Sequence, residues 1–146
     1  MNILACVDLS ESTDLVVRKA EEIAGAISAK LWLLHIAEPD PDFIGYEVGP
    51  QSVRDSLSKK FREQHRQLQE IADRVRTGGI DATALLVQGP TVETILAKSS
   101  GLNVNMIVVG SHGKGAMYQL LVGSVSEGLL QNAACPVLIV PTHKRT

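Results

Sequence analysis

A chain of 146 residues, 45% apolar and 21% charged, has the length and composition of a single globular domain spanning 1–146. Such a domain can bury roughly two-thirds of its unfolded surface. A net charge of −2 supplies no electrostatic reason for nucleic acid or a membrane surface as partner, and neither is expected.

The opening MNILACVD carries no basic segment followed by an apolar run and a cleavage site. No apolar stretch nears the ~20 residues of a membrane span, so the expected location is the cytoplasm. NILACV (2–7) is a short apolar run with turn signals after it, predicted as a buried strand. DLSESTD offers several helix-capping side chains. Val16, Ala20, Ile23, Ala24 and Ile27 then recur at three- and four-residue steps, predicting an amphipathic helix over about 12–28. KLWLLHI (30–36) reads as a second buried strand.

Residues 38–50 hold three prolines, two glycines and four acids, which fit no regular element; a connection of that length points to a functional or mobile loop. A long helix is predicted over about 51–77, with Val53, Leu57, Phe61, Leu68, Ile71 and Val75 as its stripe and glycine past its last turn. Its Lys and Arg outnumber its acids seven to four, but the signs alternate and no aromatics interleave, which describes a solvated face. ATALLV (82–87) is a third strand, Gly-Pro precedes a helix over about 91–100, and VNMIVVG (104–110) is a fourth strand. A loop then leads to a helix starting near Ser124, CPVLIVP (135–141) is a fifth strand, and THKRT is a polar tail. Cys6 and Cys135 lie within or beside apolar runs, without zinc spacing or a CxxC pair, and read as buried reduced thiols.

Strand and helix alternate, and the strands are continuous apolar runs rather than in-out alternations. That pattern predicts an α/β fold: an open five-stranded parallel sheet with helices on both faces. Right-handed crossovers leave few topologies, and the doubly wound order 3-2-1-4-5 is expected. Ligands of such sheets bind at the carboxyl ends of the strands where the winding reverses, here between strands one and four. Asp8 would then face the loop that begins at Gly110.

That loop and the helix after it carry the chemistry. Ser124-Val-Ser-Glu127 is an S-x-x-E capping box, which needs no ligand and stabilises a helix by about 1 kcal/mol. A helix N-terminus also attracts anions, and Gly123 before it would let a phosphate approach the backbone without meeting a Cβ. Ser126 adds a second hydroxyl. The motif is not a P-loop, because Lys114 after Gly113 is followed by glycine rather than Ser or Thr. Nor is it the dinucleotide fingerprint, whose glycine order is reversed here and which follows a first strand.

Gly110-x-x-Gly113, nine residues, then Gly123-Ser124 resembles the G-2x-G-9x-G-(S/T) pattern of the ATP-binding universal stress proteins. The resemblance covers the whole chain, including VDLSE after strand one, LLHI in strand two and the CPVLIV ending. It implies a Rossmann-like, adenine-nucleotide-binding domain, usually a homodimer, acting under stress or growth arrest. Carried over by position, it puts Val7 and Asp8 at the adenine or ribose and Ile36 against the base. Gly110 and Gly113 admit the ribose and phosphates, and Gly123, Ser124, Val125 and Ser126 hold the phosphates. The implied ligand is ATP, or AMP or ADP, with Mg²⁺. Cys6 departs from the proline of many members, a change expected in packing more than in binding.

Plainer roles stand beside these. Asp8 could cap the first helix, His112 and Lys114 could be exposed loop residues, and Gly115 could serve only the loop's shape. His35 reads as a hydrogen-bonded core histidine. Three functions compete: a nucleotide-sensing homodimer paired through strand five (136–140), a slow ATPase or adenylating enzyme, and a nucleotide-free interaction dimer. The enzyme reading lacks S-G-G-x-D-S or HIGH-like signatures, and weak ATP hydrolysis at most is expected; the intact glycine pattern argues against the third.

Overall fold

The computed structural model describes residues 1–37, 51–111 and 124–142, without the side chains of 51–57. The 38–50 connection, the tail from 143, and His112, Gly113, Lys114, Gly115 and Gly123 lie outside the described residues.

Nine elements alternate along the chain: β1 (Asn2–Cys6), α1 (Thr13–Ile27), β2 (Lys30–Ala37), α2 (Gln51–Thr77), β3 (Ala82–Gln88), α3 (Thr91–Gly101), β4 (Met106–Gly110), α4 (Ser124–Asn132) and β5 (Val137–Val140). The strands form one sheet of order β3-β2-β1-β4-β5, and every pairing is parallel. Ile3, Leu4 and Ala5 lie beside Met106, Ile107 and Val108, while Cys6 lies beside Leu34. The winding reverses between β1 and β4, as the element order requires.

Each face of the sheet has its own core. Ile3, Ala5, Leu31, Leu33 and Val108 pack against Val16, Val17, Ala20 and Ala24 of α1 and Leu68, Ala72 and Val75 of α2. Leu4, Leu34, Ile107 and Val109 pack against Ile95 of α3 and Leu129 of α4. Burial on both faces is why these strands are apolar throughout.

Several predicted boundaries move. Ile27, expected on the stripe of α1, is 41% exposed, because the helix ends there and Ser28 turns the chain at φ 53°. Val17 takes its place in the core. In α2 Val53 and Leu57 lie outside the described side chains, and among those described Phe61 is only half-buried and full burial begins at Leu68; 27 residues run about 40 Å and outreach the strands below. Its outer face carries Arg66 paired with both Glu63 and Glu70. The fifth strand shortens to Val137–Val140, between two prolines.

Candidate functional site

The carboxyl ends of β1, β2 and β4 meet at the reversal. The β1–β4 pairing runs to Ala5 and Val108, two residues short of Val7 and Gly110. Val7 is held from both sides by β2: its N–H donates to Leu34 O at 2.9 Å, and its carbonyl accepts from His35 Nδ1 at 2.8 Å.

Asp8 follows, where the chain leaves the sheet. Its Oδ1 accepts from the Ser10 N–H at 3.0 Å and the Ser10 hydroxyl at 2.6 Å, an Asx turn extended by the Ser10–Ser12 hydroxyl contact at 2.8 Å. The N-cap position of α1 belongs to Ser12, so Asp8 shapes the loop rather than capping the helix. Leu9 stands at φ 60°, a left-handed conformation costly for a side chain of that size. The other carboxylate oxygen, Asp8 Oδ2, is buried and has no hydrogen-bond partner. A buried carboxylate oxygen left unpaired is expensive, and a donor arriving from outside the chain would relieve it.

On the other side of the reversal, Ser124 is the first described residue of α4 and is already helical. Ser124 is exposed, Val125 half-buried and Ser126 only 2% exposed. Ser126 donates its hydroxyl to the Gly110 carbonyl at 2.8 Å, which ties the start of α4 to the end of β4. Its hydrogen is therefore already given away, and its lone pairs can only accept. Ser111 bonds across to the next strand, its N–H donating to Val140 O at 2.8 Å.

Of the residues singled out from sequence, the structure gathers Val7, Asp8, Ile36, Gly110 and Ser124 to Ser126 at one end of the sheet. Val7 turns its side chain into the α1–α2 core and Ile36 turns its own to the α3–α4 side. His35 is the core histidine expected, 7% exposed, and Nε2 of its ring is buried without a partner. Sequence reasoning missed its grip on Val7; a histidine inside an apolar strand was the one available signal. A separate cleft of about 480 Å³ opens between the β1–α1 loop and α2, and Arg74 crosses it to Asp14 at 3.3 Å. Among the described residues no group of three His, Cys, Asp or Glu side chains is arranged to hold a metal, and no helix is long and apolar enough to cross a membrane.

Fold and site define an open parallel α/β domain whose Asp8 and Ser126 stand at the strand ends where its winding reverses. The sequence profile of the universal stress protein family matches residues 1–141, and the chain belongs to that family. A "Universal stress protein in QAH/OAS sulfhydrylase 3'region" from Thermus aquaticus is 33% identical over 144 residues, covering 94% of this chain and 96% of its own. Universal stress protein A homolog 2 of Coxiella burnetii is 32% identical, covering 94% and 92%. Among solved structures, hypothetical protein MJ0577 superposes with a TM-score of 0.82 at 23% identity, over 99% of this chain and 97% of that one. A universal stress protein in complex with cAMP does so at 0.72 and 24% identity, over 98% of each chain. One from Archaeoglobus fulgidus in complex with dAMP does so at 0.68 and 18% identity, over 96% and 97%. At these identities the structural likeness is one of fold.

Proposed function

We propose that this chain is a nucleotide-responsive universal stress protein that binds an adenine nucleotide, ATP foremost, at the carboxyl ends of β1 and β4. The observation that carries the reading is Asp8 Oδ2, a buried acceptor without a partner just past the carboxyl end of β1. A ribose hydroxyl or an adenine amino group is the neutral donor that such an oxygen lacks. Ile36 and Val7 then border the base. By the family's motif Gly110 and Gly113 would admit the ribose and phosphates and Gly123, Ser124, Val125 and Ser126 would hold the phosphates, Ser126 acting through its bond to Gly110. Mg²⁺ enters with the triphosphate, whose oxygens are its natural ligands. The complexes of two structural relatives with cAMP and dAMP support the same choice of base. On this reading the protein works in the cytoplasm, where free nucleotide is, as a homodimer read by a protein partner.

The test is to denature freshly purified protein, identify what is released, and titrate the emptied, refolded protein with ATP, ADP and AMP by calorimetry. Micromolar binding is expected, and Gly123→Val should weaken it at least tenfold by putting a branched side chain where phosphate sits. No released nucleotide and no heat at millimolar ATP would overturn the reading, as would unchanged affinity in a folded Gly123→Val protein. Hydrolysis should be on the order of 10⁻³ s⁻¹ or slower, near unassisted GTPase rates. Turnover of about 1 s⁻¹ or more would favour an enzyme instead.

A further inference from the structure

The imidazole of His35 does one thing with one of its two nitrogens. Val7 O can only accept, so the Nδ1 facing it at 2.8 Å carries the ring's hydrogen. Neutral imidazole then has a bare lone pair at Nε2, and that atom is buried without a partner. A leucine in this place would pack into the same core and leave no orphan atom. The gain that offsets the unpaired Nε2 is the bond to Val7.

That bond ends the β1–β2 ladder. Cys6 lies beside Leu34, so Val7 comes opposite His35, and the Val7 N–H still makes its rung to Leu34 O. The Val7 carbonyl should next accept from the backbone of Ile36, as parallel pairing prescribes. The His35 side chain takes it instead. The strands part at this point, Asp8 follows, and the Leu9 turn carries the chain away from the sheet.

We propose that His35 is a positioning residue for the nucleotide site: its Nδ1–H fixes the Val7 carbonyl and thereby sets where the Asp8 carboxylate stands. The proposal rests on the reading of Asp8 as a nucleotide ligand. It makes a claim about one nitrogen that a general packing role does not. In asparagine the amide nitrogen falls near the Nδ1 position of histidine, whereas in glutamine it falls near Nε2.

The experiment compares wild type with His35→Asn, His35→Gln and His35→Leu, measuring ATP affinity by calorimetry and amide exchange at Ser10, whose N–H is held by Asp8. His35→Asn should bind within about threefold of wild type and keep Ser10 protected. His35→Gln and His35→Leu should bind at least tenfold more weakly and expose Ser10 to exchange while the amides of β1 and β2 stay protected. If His35→Leu does not fold, the Asn and Gln variants decide between them. Equal affinity and equal Ser10 protection in Asn and Gln would overturn the proposal, as would wild-type behaviour in a folded His35→Leu. A wild type that binds no nucleotide overturns the binding reading and the binding half of this proposal, while Ser10 exchange still judges whether His35 positions Asp8.

Discussion

Cys6 closes β1 with its thiol packed toward the α3–α4 core, and burial pushes that thiol up to about 12. In the unfolded chain the same group ionises near 9, so above that pH unfolding releases a proton. The folded state is therefore favoured fully below pH 9 and loses that advantage as pH rises toward 12, by up to about 1.4 kcal/mol per unit. Urea unfolding at pH 7.5 and 10.5 should show wild type losing about 2 kcal/mol more than Cys6→Ala between the two. Equal losses would mean that the thiol is solvated. That Cys6 packs inward was legible from its apolar run, though it and Cys135 are partly rather than fully buried, and the adjacency of β1 and β4 was legible because strand order follows from connection rules. The bonds from His35 to Val7 and from Ser126 to Gly110 were not. They join side chain to backbone across 28 and 16 residues, through a register that no periodicity records.

At the scale of elements, strand and helix order could be read directly, since apolar runs and helical stripes alternate without ambiguity. Their ends could not, as the exposed Ile27 and the overreaching α2 attest; a stripe says which side is inward, not where the sheet beneath it stops. Nor does a stripe report helix-to-helix distance. The contact of α3 with α4 depends on Gly128, where an added Cβ would lie 2.9 Å from Val92 Cγ2 and 3.2 Å from Cγ1. Gly128→Ala gains about 1 kcal/mol of helix propensity but overpacks a stiff β-branched neighbour at a cost of about 1–3 kcal/mol. A net loss near 1 kcal/mol is expected. Combining it with Val92→Ala should recover part of that loss, giving a coupling of at least about 0.5 kcal/mol in a double-mutant cycle by urea unfolding. Strict additivity would show that the helices can simply move apart.

The whole molecule is governed by the edge that the order β3-β2-β1-β4-β5 leaves at β5. Pro136 O accepts from the Ile107 N–H at 3.0 Å and Val140 O from the Ser111 N–H at 2.8 Å, so residues 136, 138 and 140 turn their backbone groups toward β4. Val137 and Ile139 therefore turn theirs outward. An apolar edge strand with free donors and acceptors templates another strand, and two copies paired about a two-fold axis satisfy both. Lysine at Leu138 or Val140 is a poor probe of this pairing, because both side chains pack against the α1–α2 core and their loss would damage the monomer too. Ile139→Pro removes the central outward N–H at a place where a sheet tolerates proline, and because Ile139 itself packs against the α3–α4 core, Ile139→Ala serves as the packing control that keeps the N–H. Light scattering at micromolar concentration should give wild type a mass of about twice 15.7 kDa, and a folded Ile139→Pro protein the mass of one chain. Wild type at a single chain's mass, with and without ATP, would overturn the pairing; an Ile139→Pro protein still at twice that mass would move the interface away from β5.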